Sequence, residues 1–232
     1  MKLDFKALIA EFIGTFVLVF IGALAVIIAS NVALSEGGNY LGVIVAALAH
    51  GLVLVALVYT FGHYSGAHLN PAVTAGLLVG GKIAIVPAIG YWVVQFLGGI
   101  VAGFIALALA SPAGLAGFGE TKGILTADHL GTAAILEAIL TFILVTTVYQ
   151  AAVYGKAGNL AGVAIGLSLA ACIFAGGVFT GASLNPARTL GPALAAGDFS
   201  YVPMYLIGIF AGGIVAGLLN AYVLKPSDKA SS

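Results

Sequence analysis

Six stretches of the chain are apolar for long enough to cross a bilayer, and two further stretches are not. The runs over residues 7–29, 41–61, 83–110, 132–154, 160–178 and 201–224 carry almost no charge, and a spanning helix needs roughly 20 such residues. The stretches that start at Asn70 and Asn185 end at Gly80-Gly81 and Gly197-Asp198. As helices of about ten to twelve residues they reach roughly 15–18 Å, about half of a ~30 Å hydrocarbon core. They can dip in and return but cannot cross. The pattern predicts an all-α membrane protein with six transmembrane helices and two re-entrant half-helices.

The two short stretches are copies of each other. Residues 62–76 read GHYSGAHLNPAVTAG and residues 177–191 read GVFTGASLNPARTLG. Each holds Asn-Pro-Ala, as Asn70-Pro71-Ala72 and as Asn185-Pro186-Ala187. Asn is a strong helix N-cap, and Pro suits the first helical position because its missing N–H is not needed there. Each copy therefore predicts a helix that begins at membrane depth, with free N–H groups and a partial positive charge aimed at whatever lies in front. The glycines ahead of it (Gly62, Gly66; Gly177, Gly181) suit turning backbone.

The repeat extends further. YWVVQFLGGIVAG at residues 91–103 is matched at residues 205–217, which also end in GGIVAG, and Glu11–Phe16 echoes Glu137–Phe142. The GGIVAG tracts read as helix-packing sites, since small residues let membrane helices approach closely. Residues 1–232 are thus expected to form one channel domain, with repeats over about 7–110 and 132–224. Each half has three spans and one half-helix, and an odd number of spans turns the second half upside down. Inverted repeats with broken helices meeting at the midplane are a transport architecture.

Composition narrows the function. Apolar residues make up 62% and charged residues 7%, against about 25% charged in soluble domains, and the mean hydropathy is +1.18. Zero net charge leaves no basic face for nucleic acid. A single cysteine, Cys172, excludes an internal disulfide framework and a zinc cluster; it reads as a small buried apolar residue. No signal-peptide pattern is visible. With six spans, Lys2, Lys6, Lys82, Lys156, Lys225 and Lys229 fall on one side and only Lys122 on the other, which places both termini in the cytoplasm.

The paired motifs SGAHLNPAVT and GASLNPARTLGP, at this spacing inside six spans, resemble the aquaporin (major intrinsic protein) family over essentially the whole chain. Asn70 and Asn185 then read as pore residues: one role caps the helix, and the remaining amide donors face a permeating molecule. Arg188 is the only arginine, and a charge at membrane depth is costly and functional by default. Carbonyls are expected to hold one side of its fork while free donors face the pore. The resemblance places it at the narrowest constriction. Glu11 and Glu137 could form a proton relay. Their matched positions, with no chain of acidic or His partners, favour buried acceptors for loop N–H groups, and the resemblance agrees that they brace the re-entrant loops. His63 and His68 flank the first loop with no carboxylate at ligand spacing, so no metal site is expected. His68 borders the pore on the cytoplasmic side and His63 packs.

The resemblance puts the four filter positions on His50, Ile173, Ala182 and Arg188. Most water-specific members carry Phe first and His second. The His50/Ile173 pair is instead similar to the plant tonoplast intrinsic proteins, which pass water and, in some members, ammonia or urea. Ala182 is small, so a wider constriction follows. Thr189 stands where glycerol facilitators carry Asp, and Leu206 where many water channels place Trp. The expected function is passive passage of water and small uncharged solutes such as ammonia, with protons and ions excluded. Arg188 and His50 supply donors at the outer constriction, and the half-helix N-termini form a positive centre. No enzyme activity and no cofactor are expected, and no nucleotide motif is present. A glycerol or urea facilitator is the alternative. An ion-coupled secondary transporter is remote, because it needs intramembrane carboxylates facing a substrate. The resemblance further implies a homotetramer with one pore per subunit. The chain is expected in the cell membrane, as a prokaryotic or archaeal member.

Overall fold

The computed structural model describes residues 4–32 and 40–226; Lys2 and Lys229 lie outside the described residues. Eight α-helices follow in order: α1 Phe5–Val32, α2 Tyr40–Ser65, α3 Pro71–Val79, α4 Ile85–Ala110, α5 Leu130–Val148, α6 Ala161–Thr180, α7 Pro186–Ala196 and α8 Val202–Tyr222. Six are long and apolar enough to cross a membrane. The other two, α3 with 9 residues and α7 with 11, reach only about 14–17 Å at ~1.5 Å per residue. Among the described residues there is no strand.

One predicted span differs from observation. The helix expected over 132–154 stops at Val148 and continues as a π-helical turn over Tyr149–Val153. The cause is tertiary. The Tyr149 hydroxyl donates to the Gly76 carbonyl (3.1 Å), the Tyr154 hydroxyl to the Asn220 carbonyl (2.7 Å), and Gln150 Nε2 to Asn220 Oδ1 (2.7 Å). These anchors hold the last turn wide, a distortion that often sits at functional positions.

The halves assemble by matched contacts. α1 lies along α4, α5 lies along the repeat-equivalent α8, and α2 meets α6 between the halves. The GGIVAG tracts explain how the half-helices fit. A Cβ on Gly99 would stand 2.6 Å from the Ala187 carbonyl oxygen, and a Cβ on the equivalent Gly213 would stand 2.6 Å from that of Ala72. Gly103 and Gly217 likewise face the Gly191 and Gly76 carbonyls at 2.5 and 2.2 Å. Backbone therefore packs on backbone along both half-helices, which brings their first turns to the centre of the bundle.

Candidate pore and its outer constriction

The segment ahead of each half-helix adopts an unusual backbone. Ala67 and Leu69 have φ of 48° and 50°, and their repeat equivalents Ala182 and Leu184 have 46° and 54°. Left-handed non-glycine residues cost roughly 1–2 kcal/mol each, so something must hold them. Two buried carboxylates do. Glu11 accepts from Ser65 Oγ (2.6 Å), His68 N (2.8 Å), Leu69 N (2.7 Å) and Gln95 Nε2 (2.8 Å). Glu137 accepts from Thr180 Oγ1 (2.7 Å), Ser183 N (3.0 Å) and Leu184 N (2.9 Å). Both carboxylates are fully buried. Hydrogen bonds to a charged acceptor are roughly twice as strong as neutral ones, enough to offset the backbone strain.

Asn70 and Asn185 take the N-cap positions of α3 and α7, in extended backbone. Their oxygens do the capping: Asn70 Oδ1 accepts from Ala72 N (2.8 Å), and Asn185 Oδ1 accepts from Ala187 N (2.9 Å) and Arg188 N (3.3 Å). Their amide nitrogens cross over. Asn70 Nδ2 donates to the Leu184 carbonyl (2.8 Å) and Asn185 Nδ2 to the Leu69 carbonyl (2.9 Å). Each NH2 has two hydrogens, so one locks the opposite loop and one is left. Both asparagines line a narrow cavity of about 50 Å³ that runs between the halves. His50 and Arg188 line it at one end, and Val148 and Ala152 at the other. Much of the remaining wall is aliphatic, with Leu54, Val58, Ile165 and Leu169.

At the first of these ends, His50 and Arg188 are bonded directly. Arg188 Nε donates to His50 Nε2 at 3.1 Å, and His50 Nδ1 lies 2.7 Å from the Ala46 carbonyl. A carbonyl only accepts, so Nδ1 carries the proton. Nε2 offers its lone pair, and the imidazole is neutral. This departs from the expectation that both residues supply donors and that carbonyls hold Arg188. His50 has no donor left for the lumen, and the arginine is anchored by an imidazole. Of the five guanidinium N–H groups, four remain. Nη1 and Nη2 are buried and find no hydrogen-bond partner among the described residues. Ile173 lines a separate cavity of about 380 Å³, beside Lys122, rather than the narrow one. Ala182 packs in the same apolar cluster as Ile173.

Ahead of α3, His68 Nδ1 pairs with Thr74 Oγ1 (3.0 Å), and its ring meets Tyr91 edge-on at 5.0 Å. His68 lines both the narrow cavity and a second one of about 340 Å³, beside Asp4 and Lys82. His63 packs against Tyr64, with ring centroids 3.9 Å apart and the planes tilted by 43°. In the second half Ser183 and Thr189 replace the His68–Thr74 pair, with their hydroxyls 2.6 Å apart. These hydroxyl contacts, Gln95, and Trp92 Nε1 donating to the Pro71 carbonyl (2.9 Å) are site features that motif reading passes over. The signal was present for Thr74 and Thr189, which recur in the repeat, and for Gln95, a lone amide inside an apolar span.

An ion-pair clasp ties the α4–α5 and α7–α8 loops together. Lys122, between α4 and α5, bonds Asp198, just past α7, and Glu120 Oε1 (2.8 Å), and its ammonium lies 5.3 Å from the centre of the Tyr201 ring. The hydrogen bond from Lys122, helped by Ser200, holds the Asp198 carboxyl well below the usual carboxylate range. A depressed carboxyl contributes stability above its unfolded pKa and loses it only as pH falls through the lower folded value. The clasp is therefore expected to stay charged across roughly pH 5–8. Asp198→Asn should speed amide hydrogen exchange over residues 111–129 relative to the parent chain at the same pH. Unchanged exchange would mean that the loop is held by other contacts.

Known proteins share this architecture. The major intrinsic protein family model matches residues 2–220. The chain is similar to aquaporin TIP2-1 of Arabidopsis thaliana, 38% identical over 97% of this chain and 89% of that one. It is also similar to aquaporin TIP2-1 of Zea mays, 42% identical over 92% and 85%. Its structure resembles the X-ray structure of the aquaglyceroporin from Plasmodium falciparum, with TM-score 0.79, 26% identity, and 95% and 97% of the two chains covered. The chain belongs to the major intrinsic protein family: it is a multi-pass membrane protein with the aquaporin fold, and it works as a passive water channel rather than an enzyme.

Proposed function

We propose that His50, Ile173, Ala182 and Arg188 form the outer filter of this water channel, and that the filter passes ammonia ahead of glycerol. The observation that carries this reading is the saturated His50 imidazole beside the four remaining Arg188 N–H groups. The constriction then offers donors from one side only, and the other two filter positions are an apolar Ile173 and a small Ala182, which pack in one apolar cluster. Ammonia and water both accept from such donors through a lone pair. Glycerol needs more width and an apolar wall for its carbons, and Thr189 bonds Ser183 instead of carrying a carboxylate. Deeper in the lumen, Asn70-Pro71-Ala72 and Asn185-Pro186-Ala187 form the positive centre. The free hydrogen of each amide and the half-helix N-termini orient the central water outward and repel cations. Glu11 and Glu137 brace the two loops, and His68 borders the inner mouth.

The test is flux in vesicles with the parent chain and with His50→Phe plus Ile173→His. Ammonia flux above empty vesicles, little glycerol flux, and a larger loss of ammonia than of water in the double variant are expected. Parent vesicles that pass water but no more ammonia than empty ones would replace this reading with strict water selectivity. A glycerol or urea facilitator is the second reading, favoured by the likeness to an aquaglyceroporin and by Leu206, which offers no indole N–H. Glycerol flux exceeding ammonia flux would select it.

The chain is proposed to act as one channel domain in a homotetramer, each subunit with its own pore, as the family resemblance implies. Cytoplasmic termini are supported by Lys6, Lys82, Lys156 and Lys225, which fall at one end of the bundle, against Lys122 at the other. The cell membrane is the proposed location for a prokaryotic or archaeal member; for a chain from a plant, the likeness to tonoplast intrinsic proteins would favour the vacuolar membrane.

A further inference from the structure

Gly22 lies buried in the interior of α1, where glycine is less favourable than alanine. Its backbone does not require glycine, since it is not among the residues with positive φ. What it lacks is room. A Cβ there would stand 2.1 Å from His50 Nε2 and 2.7 Å from both Cδ2 and Cε1; its three nearest neighbours all belong to this one imidazole. Nε2 is the atom that accepts from Arg188 Nε. The ring cannot simply retreat, because Nδ1 is tied to the Ala46 carbonyl at 2.7 Å.

The repeat supplies an internal comparison. α1 corresponds to α5 through Glu11 and Glu137, and α2 to α6 through the mutually packed Gly51 and Gly166. Gly22 then corresponds to Val148, and His50 to Ile165. Val148 packs against the cluster that contains Ile165, and both line the lumen. Where the α2-type position is aliphatic, the α1-type position carries a branched side chain. Where it is a histidine reaching across to an arginine, the position is empty.

We infer that Gly22 is a positioning residue of the outer constriction: by having no side chain it leaves the space in which the His50 imidazole accepts from Arg188. The inference rests on the reading of His50 and Arg188 as the filter. A methyl group at position 22 drives the imidazole off Arg188 and toward the lumen. The bottleneck narrows, and the larger solute suffers more than water.

The experiment is a double-mutant cycle in proteoliposomes: parent, Gly22→Ala, His50→Ala and the double variant, with methylamine and water permeability measured on the same vesicles. Gly22→Ala is expected to lower the methylamine-to-water ratio by about threefold or more, and to change it by less than about twofold once His50 is alanine. A similar change in both backgrounds, or none in the first, overturns the inference, because a packing role would not depend on His50. If Gly22→Ala does not fold, recovery of folded channel in the double variant supports the clash with His50. Failure of both overturns it. A folded His50→Ala channel with an unaltered ratio overturns the filter reading itself, and the positioning role with it.

Discussion

Glu137→Leu is expected to leave no stable channel. The substitution keeps roughly the same volume and removes the acceptor for three buried donors, Thr180 Oγ1, Ser183 N and Leu184 N. A buried donor without a partner costs about 1–3 kcal/mol, so the total is roughly 3–9 kcal/mol, against a typical folding stability of about 5–15 kcal/mol. The same bonds hold the left-handed Ala182 and Leu184, so their loss also frees Asn185, whose cap and cross-link depend on that loop. Glu137→Gln is expected to fall between, since its oxygen still accepts while its NH2 opposes a backbone N–H. Glu11→Leu should behave alike. There the fourth donor, Gln95, keeps Thr74 as a partner (3.0 Å), so the added donor adds little. Thermal unfolding in detergent, with hydrogen exchange at residues 182–185, measures the effect. A Glu137→Leu channel as stable as the parent would mean that the outer loop is held by packing alone.

How much of this was legible in the sequence depends on how far apart the partners lie. The six crossings and two half-helices follow from run length, because a ~30 Å core sets a length that an apolar segment meets or misses. The Asn-Pro start of each half-helix follows from capping chemistry within three residues. The end of α5 was not legible, since 149–153 continue the apolar pattern, and only bonds to Gly76 and Asn220 make the turn wide. The asparagines read as donors to the pore, but half of that donor capacity goes to the opposite loop, more than 100 residues away. The His50–Arg188 bond joins residues 138 apart, and it converts an expected donor into an acceptor. Gly22 carries no signal at all in the chain: an unmarked glycine in an apolar run becomes meaningful only when its neighbour in space is known.

Arg188→Val is expected to open the channel to protons and small cations while water still passes. His50 is neutral by its bonding pattern, and Glu11 and Glu137 are turned to their loops. The guanidinium is therefore the one permanent charge lining the narrow cavity among the described residues. A unit charge about 5 Å away raises the barrier for a passing cation by roughly 1–3 kcal/mol, for an effective dielectric constant between bulk water and a protein surface. Each 1.4 kcal/mol is tenfold, so a leak increase on the order of tenfold is expected. The substitution also leaves His50 Nε2 without its donor, so the outer wall changes from donor-rich to acceptor-bearing, which favours cations further. Water needs no donor in particular, and its permeability should hold or rise with the extra width. Arg188→Lys separates the two effects: it keeps the charge but loses the planar fork that reaches His50 while leaving four N–H groups free. Cation exclusion should largely survive there. A pH-sensitive dye trapped in vesicles reports the proton leak, and light scattering reports water flow. If a folded Arg188→Val channel leaks no more than the parent, the half-helix N-termini and the asparagine amides carry the exclusion without the arginine.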